Sequence, residues 1–492
     1  MDAEQIRKLR PRLRKFLKEF DAVFPRKDSR AHVPVYVEGQ LSELKRKSVE
    51  PIADRARVPP RSLQNFLAVH QWRADDLDDR IARRVVAKHA HDDAVLVIDE
   101  TSDDKKGDKT PGVARQYLGC RGKVENGIVT VHLAFAAPDF HGVLSGDLFL
   151  PEAWANDRPR CRAAGIPDEV GHRTKKQIAL DLLDAALARG VRASWITFDE
   201  GYGNSPEFLR QVDQRGLRYV AEVPKSYVGW TRFPELATPR RRGRARPAPP
   251  RLAPTAAPAR RVEQLLEGPE LRVQPWRPYR IKDGEKGPLV WEAKNCDFYS
   301  KDVDGLPSRT QQLVVARNPL DGEVKYFVTN DPEAPTTEVL RAAFSRWVVE
   351  HCFKDGKQEV GFLHFEGRNY AGLRRHLALA ALSYLFLQEV RKDERKKKSG
   401  ADRVPSPRGG GPANALVEPG PGAAAGAGAE HRGAAGRAAG AEREGAAEPP
   451  QGHASEILGA RHSNVGLPGL PLALGARRSA ARRARPPSPR HT

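Results

Sequence analysis

The chain has 492 residues, enough for a sizeable core and more than one domain. Lys and Arg number 83 against 63 Asp and Glu, and the net charge of +20 favours a polyanionic partner, either nucleic acid or an anionic membrane surface. The four cysteines form no C-x-x-C pair, so neither a zinc ribbon nor a disulfide framework is indicated. No apolar run approaches the roughly 18 residues of a membrane span, and the charged N-terminus lacks a signal-peptide core. We therefore expect a cytoplasmic protein without a membrane partner.

Residues 1–90 are predicted to be helical. Apolar residues recur at helix spacing between Arg and Lys, at Leu9, Leu13, Phe16, Leu17 and Phe20. Further short helices are expected around Pro59-Pro60, with Ser62 as the N-cap of the next helix. A basic helical region of this kind could bind DNA or could be a packing domain with a solvated basic face. The sequence leaves both interpretations open.

Residues 91–224 alternate between strand and helix patterns. The strands are "AVLVID", "GIVTVHLAFAAPD", "GVLSGDLFLP", "VRASWITFD" and "LRYVAEV". A helix in "TKKQIALDLLDAALARG" is expected to begin after Thr174 and end at Gly190, and "SPEFLRQVDQRG" is expected to form another. Strands first in succession and then alternating with helices predict a mixed α/β sheet.

The rest of the chain divides by composition. Residues 225–333 have short strand patterns and contain a Pro- and Arg-rich loop at 236–262, whereas residues 334–398 are strongly helical. Residues 399–492 consist mainly of Ala, Gly, Pro and Arg and are too poor in large apolar side chains to fold alone. This tail is either the product of a frameshift near residue 400 or a native disordered segment, and resequencing the gene would distinguish the two.

Two apolar runs end in a pair of acids. "VLVIDET" places Asp99 at the end of one strand and "WITFDEGYG" places Asp199 at the end of another. Neighbouring side chains of a strand point to opposite faces, so only one acid of each pair can join a common site. Converging carboxylates repel unless a divalent cation lies between them, and hard oxygen ligands suit Mg²⁺ or Mn²⁺. The alternative is that each acid caps a strand or a turn.

A third acid is expected from the helix "SRWVVEHCFKDGKQE". Arg346, Glu350 and Lys357 are spaced by four and seven residues and lie on one helical stripe. Taken alone, this spacing is more typical of a solvated charged face. The same helix carries several large apolar residues, however, and a charged stripe on a mostly buried helix needs a partner.

Together these motifs resemble a DDE transposase of bacterial insertion sequences. In one branch of that family the third acid lies in a Tyr-x-x-Arg-x-x-x-Glu-x-x-x-x-x-x-Lys signature, and Arg346, Glu350 and Lys357 match its spacing. The tyrosine position falls on Ala343, so its role is unfilled or is taken by Phe344. "IDET", "KKG", "GVARQYLG", "FDEGYG" and "RWVVEHCFKDGKQEVG" occur in the family's order.

The resemblance implies an RNase H-like mixed sheet flanked by helices, with a helical N-terminal region and a β-rich insertion before the last catalytic helix. Asp99 would lie on the first strand, Asp199 after the fourth, and Glu350 on a helix beyond the insertion. These three acids would be catalytic and would hold two Mg²⁺ ions, for which Mn²⁺ can substitute. The reaction would be DNA cleavage at the element ends and joining of the 3′-hydroxyls to target DNA.

The resemblance also implies the partners. Double-stranded DNA, both the terminal repeats and the target, would be bound by a homodimer in the bacterial cytoplasm, at the nucleoid. Arg346 and Lys357 are the expected phosphate contacts. Lys105 and Lys106 could touch the DNA backbone, and Tyr202 could stack on a base or set a turn.

Three other functions share part of this pattern. A metal-dependent RNase H-fold nuclease without strand transfer would have the same acids and charge. A catalytically inactive DNA-binding derivative would not need the carboxylates beside phosphates. A glycosidase with paired carboxylates would explain neither the charge nor the basic helix around Glu350.

Overall fold

The structure, a computed structural model, describes residues 3–237, 249–284 and 287–401. Within these ranges the side chains of residues 3–7, 283–284, 348, 350–351, 396 and 398–401 are not described. The predicted tail at 399–492 therefore lies almost wholly outside the described residues, as does the Arg-rich middle of the predicted loop at 236–262. The choice between a frameshift and a native tail is not tested.

Five helices and a 3-10 turn are described before the first strand. They are α1 Ala3–Lys18, the turn Asp21–Val23, α2 Lys27–Gln40, α3 Val49–Ala56, α4 Pro60–Ala68 and α5 Ala74–His89. Leu13, Phe16 and Leu17 are buried, as expected for the apolar face of α1. The prediction that Ser62 is an N-cap is wrong, because α4 begins at Pro60. Proline suits the first helical position, where an N–H would have no partner.

Six strands form the core sheet. They are β1 Val95–Asp104, β2 Ala114–Leu118, β3 Lys123–Ala137, β4 Phe140–Leu148, β5 Trp195–Phe198 and β6 Tyr219–Val223. Strand β3 pairs antiparallel with β1, β2 and β4, whereas β5 runs parallel to both β1 and β6. The order β4-β3-β1-β5-β6 is that of an RNase H-like sheet, which confirms the predicted fold class. The short strand β2 had no signal in the sequence. Asp199 follows β5, which is the fifth strand of the chain and the fourth along the chain among the five strands of this order.

Helices pack beside this sheet. They are α6 Glu152–Ala155, α7 Arg158–Ala163, α8 Lys175–Ala188, α9 Glu200–Gly203 and α10 Pro206–Gln214. Helix α8 begins as predicted: Thr174 Oγ1 accepts from Gln177 N at 3.2 Å, and Gln177 Oε1 accepts from Thr174 N at 2.8 Å. Beyond its end, Gly190 has a φ of +86°, which favours glycine. These caps hold the first turn of α8 beside the carboxyl end of β1.

The segment between β6 and the C-terminal helices is rich in short strands. Its elements are β7 Val228–Trp230, β8 Leu236–Ala237, β9 Arg251–Leu252, β10 Arg260–Arg261, α11 Val262–Leu266, α12 Pro269–Arg272, β11 Arg277–Gly284, β12 Gly287–Ser300, β13 Gln311–Arg317 and β14 Val324–Thr329. Strand β14 pairs antiparallel with β6, and β13 and β12 follow in the same sheet. The insertion therefore extends the core sheet into one sheet of twelve described strands.

Three helices complete the described chain: α13 Thr336–Phe344, α14 Arg346–Glu359 and α15 Tyr370–Ala401. Helix α14 lies against β1, β3 and β4. The middle of α15 is buried at Leu379, Leu382 and Leu385. In the described parts of the chain, no helix is both long and apolar enough to cross a membrane.

Candidate active site

The carboxyl ends of β1 and β5 bring the two predicted aspartates to the same level of the sheet. The parallel register pairs Val97 with Thr197, and two further residues along each chain lead to Asp99 and Asp199. Functional groups gather at such strand ends in open α/β sheets. Both aspartates are half-buried. The strand pairing thus puts the two aspartates at adjacent strand ends, where the sequence predicted a site.

Asp199 is also the N-cap of the short helix α9. Its Oδ1 accepts from the backbone N–H of Gly201 at 3.0 Å and of Tyr202 at 3.3 Å. These bonds fix the side chain in one orientation. At the end of α9, a Cβ on Gly203 would lie 2.0 Å from the carbonyl oxygen of Glu222 on β6, so only glycine permits this approach.

Glu100 points to the opposite face of β1 from Asp99, as strand alternation requires. Tyr202 donates its hydroxyl to Glu100 Oε1 at 3.1 Å, and Lys175 Nζ donates to Oε2 at 2.5 Å. Burial, followed by the negative charges of Glu100 and Asp199, raises the pKa of Tyr202 well above its usual value. Glu100 therefore ties β1 to the first turns of α8 and α9, a role for which the sequence offered no signal.

Tyr202 itself is almost fully buried. Its ring lies 5.3 Å from that of Phe208 and 6.4 Å from that of Phe198. Of the two roles predicted for Tyr202, this environment corresponds to the setting of a turn. Base stacking would require the ring to leave these contacts.

Lys357 of α14 lies on the Asp99 face of β1. Burial lowers its pKa, and nearby Cys120, Asp103 and Asp99 act in the opposite direction. His132, the cross-strand neighbour of Asp99, is fully buried, and burial together with Lys357 lowers its pKa to about 3. His132 is therefore neutral and packs against Phe353 and Phe362, as expected for a packing residue.

Arg346, at the start of α14, forms an ion pair with Glu222 of β6. The same carboxylate accepts from Lys325 Nζ of β14 at 2.8 Å. The three side chains are 13%, 19% and 22% exposed, respectively. Glu222 thus positions Arg346, one of the signature residues, at the start of α14. This ion pair could not be predicted, because the two residues lie far apart in the sequence.

The two predicted lysines of the 103–109 loop differ in their surroundings. Lys105 pairs with Asp103 and donates from Nζ to the carbonyl oxygen of Phe365 at 2.7 Å, so it joins β1 to the segment after α14. Lys106 is exposed. Within the described residues, neither a hydrogen bond nor an ion pair is recorded for its side chain.

The third predicted acid, Glu350, lies in α14, but its side chain is not described. The missing tyrosine of the signature falls on Ala343, which is buried at the end of α13. Neighbouring Phe344 packs its ring 4.7 Å from Trp291 and 5.8 Å from Phe327. Phe344 is therefore a buried residue that packs against the insertion.

A cleft of about 940 Å³ opens beside the strand ends. Its lining includes Glu100, Asp199 and Tyr202 together with Lys175, Lys176 and Arg215. The walls come from α8, α9 and α10, so the cleft lies on the Glu100 side of the sheet. Asp199 is therefore accessible from the solvent that fills this cleft.

The donor chemistry of the site fits a hard divalent cation. Asp99 and Asp199 offer carboxylate oxygens, which Mg²⁺ and Mn²⁺ prefer. Among the described side chains, no cluster of three His, Cys, Asp or Glu residues is close enough to bind a metal ion. The side chain of Glu350, the third expected ligand, lies outside that description.

The strand order, with carboxylates at adjacent strand ends, defines an enzyme-like RNase H core. Residues 19–288 match the family model of the DDE superfamily endonucleases. The match covers more than half of the 492 residues, and the chain belongs to the DDE superfamily of endonucleases. This confirms the resemblance seen in the sequence motifs. The matched range contains Asp99 and Asp199 and ends before Glu350.

Two curated relatives are similar to part of the chain. The "Probable transposase for insertion sequence element IS701" of Microchaete diplosiphon is 31% identical over 191 residues, or 38% of this chain and 47% of that protein. A protein of Sinorhizobium fredii (strain NBRC 101917 / NGR234) named as transposase y4zB is 28% identical over 118 residues, or 24% of this chain and 32% of that protein. The chain thus matches less than half of either relative.

One solved structure is also similar. The NurA nuclease from Sulfolobus solfataricus has 12% sequence identity and a TM-score of 0.22, and the alignment covers 62% of this chain and 95% of that one. A TM-score this low says nothing about a shared fold.

Proposed function

We propose that the chain is a DNA transposase that cleaves the ends of an insertion sequence and joins their 3′-hydroxyls to target DNA. The observation that carries this proposal is the parallel register of β1 and β5, which puts Asp99 and Asp199 at adjacent strand ends, with Lys357 near Asp99. Membership of the DDE superfamily, similarity to proteins named as transposases and the net charge of +20 all support it.

Asp99, Asp199 and Glu350 would hold two Mg²⁺ ions, for which Mn²⁺ can substitute. Such ions would supply activation of water or a 3′-hydroxyl and stabilisation of the leaving 3′-oxygen. Asp199 contributes a carboxylate already oriented by the N–H groups of α9, and Asp99 contributes one from the rigid strand β1. This preorganisation lowers the cost of assembling the site.

The cations around the acids bind the substrate phosphates in this proposal. Lys357 is the cation beside Asp99, and its partial burial strengthens the attraction for a phosphate. Arg346 would bind a phosphate while keeping its ion pair with Glu222, or would give up that ion pair to bind the phosphate. Exposed Lys106 is free to follow the DNA backbone, whereas Lys105 positions the loop that carries it. Tyr202 does not contact DNA in this proposal; it orients α9 through its hydrogen bond to Glu100.

The partners follow from this chemistry. The chain would bind double-stranded DNA, both the terminal repeats and the target, as a homodimer that pairs two element ends. It would act in the bacterial cytoplasm at the nucleoid.

A strand-transfer assay tests the proposal. Full-length protein is incubated with Mg²⁺, a labelled duplex carrying the terminal repeat next to its own gene, and a supercoiled target plasmid. We expect joined products whose formation needs a free 3′-hydroxyl and is abolished by Asp99→Asn. Cleavage without joining would indicate a nuclease, and DNA binding without cleavage would indicate an inactive DNA-binding derivative. Either result overturns the proposal.

A further inference from the structure

A basic segment next to the candidate active site has no part in the function described so far. Residues 105–126, here called the basic arm, comprise the loop after β1, strand β2 and the first residues of β3. The arm contains six Lys or Arg residues and two acids. Five of the six cations are exposed, at Lys106, Lys109, Arg115, Arg121 and Lys123.

Side-chain hydrogen bonds join the loop of the basic arm to its β2–β3 hairpin. Asn126 Nδ2 donates to the carbonyl oxygens of Lys105 at 2.5 Å and Gly107 at 3.0 Å. Gln116 Nε2 donates to the carbonyl oxygen of Gly127 at 2.8 Å. These bonds hold the loop against the β2–β3 hairpin.

The tip of the arm contacts the last residues of β1. Cys120 N donates to Ser102 Oγ at 3.1 Å, and Arg121 pairs with Asp104 at 2.6 Å. Cys120 is also close enough to Lys357 to affect its pKa. The basic arm thus lies against the end of β1 and, at Cys120, comes near Lys357.

An aromatic residue stands in the middle of these charges. Tyr117 and its cross-strand neighbour Val124 are 60% and 50% exposed. Arg115 projects from the same face of β2, two residues away. Within the described residues, neither a hydrogen bond nor an ion pair is recorded for the side chain of Arg115 or Lys106. An exposed ring on the same face as an exposed arginine, in a segment with more basic than acidic residues, matches surfaces that bind phosphates and stack on nucleotides.

We propose that the basic arm contacts the DNA beside the cleaved bond, with Tyr117 packing on a nucleotide and Arg115 and Lys106 binding phosphates. This inference rests on the proposed function, because it assumes that DNA lies at the acids. Among polyanions, DNA accounts for both the cations and the ring. A second copy of this strongly basic chain would meet the arm with like charge.

Equilibrium binding of full-length protein to a short fluorescein-labelled duplex tests the inference. Tyr117→Val removes the ring and puts a residue that favours strands opposite Val124. We expect the affinity for the duplex to fall by at least about fivefold, with an unchanged salt dependence. Arg115→Gln should reduce the slope of log affinity against log salt by about 0.9. Phe233→Val is the matched control, because Phe233 is 54% exposed but lies in the insertion, and it should bind as the wild type does.

A photocross-linking residue at position 117 provides a second measurement. We expect it to react with the duplex, whereas the same residue at position 233 should not. Wild-type affinity in both arm variants, or cross-linking of position 117 to a second protein chain, would overturn the inference. Failure of the wild type to bind any duplex would instead overturn the proposed function, so the two failures are distinguishable.

Discussion

The hydroxyl of Tyr202 donates to Glu100 Oε1 at 3.1 Å, and this bond joins α9 to β1. Asp199 caps α9 and Asp99 precedes Glu100, so the bond connects the elements that carry the two candidate metal ligands. Tyr202 is buried, whereas Glu100 is partly exposed at the cleft, so the bond lies at the border between the core and the cleft. It sets the position of one carboxylate relative to the other.

Removing this bond should weaken the site more than the fold. Tyr202→Phe keeps the ring packing and deletes the donor to a carboxylate, and such bonds contribute about 1.5–3 kcal/mol. We expect a loss of unfolding free energy in that range by urea titration, together with a weaker affinity for Mn²⁺. Lys175→Met tests the other partner of Glu100. Wild-type Mn²⁺ affinity in both variants would show that Glu100 does not position the site.

The close approach of α9 to β6 should not tolerate a side chain at Gly203. Gly203→Ala would place a Cβ 2.0 Å from a backbone oxygen, which forces the helix away from the strand. Overpacking of this kind costs about 1–3 kcal/mol. Gly107→Ala is the control, since a Cβ there meets no atom within 4 Å. Equal stability of the two variants in urea unfolding would contradict this packing.

Glu222 should be more important for stability than its exposed neighbour. Glu222→Gln leaves both Arg346 and Lys325 without their shared charge, and we expect a loss of about 2 kcal/mol in urea unfolding. Glu323 also lies near Lys325, at 3.6 Å, but it is 52% exposed. Glu323→Gln should therefore cost less than about 1 kcal/mol. Similar losses in the two variants would argue against the buried pair.

The contact between α5 and α15 should make stability depend on acid pH. Burial alone would raise the pKa of Glu389, but hydrogen bonds from His89 and Arg84 lower it to about 2. A carboxyl with a lowered folded pKa stabilises the protein above its unfolded pKa, near 4.3, and that stability is lost as pH falls toward 2. The amount is on the order of 3 kcal/mol.

Glu389→Gln removes this contribution. The variant should be less stable than the wild type at pH 7, and the difference should shrink as the pH falls below about 4. Exposed Glu169→Gln is the control and should follow the wild-type profile. Thermal unfolding across this pH range measures both. A constant difference between Glu389→Gln and the wild type would contradict the role assigned to Glu389.

Local signals in the sequence were sufficient for the main elements of the core. The strands before Asp99 and Asp199 are runs of buried residues, and α8 has a complete capping box. The short strand β2 escaped prediction because only five residues form it and two of them are exposed. The continuation of the core sheet through β14 depends on pairing with β6, about a hundred residues away, which no local pattern encodes.

The candidate site divides in the same way. The acids at the strand ends could be predicted because each follows an apolar run. The Arg346–Lys357 stripe could be predicted because its helix also carries large apolar residues. The partners of these residues could not. Glu100 contacts Tyr202 across 102 positions and Glu222 contacts Arg346 across 124, so both links exist only after the chain has folded.

The central claim is that Asp199 is a metal ligand of a DNA-cleaving site, and one comparison tests it directly. Asp199→Asn preserves an N-cap for α9, so the variant should fold with a wild-type melting temperature. We predict that the wild type binds Mn²⁺ and cleaves terminal-repeat DNA when Mg²⁺ is added, and that the variant has lost both properties. A folded Asp199→Asn protein that still binds Mn²⁺ and cleaves DNA at the wild-type rate would contradict the claim.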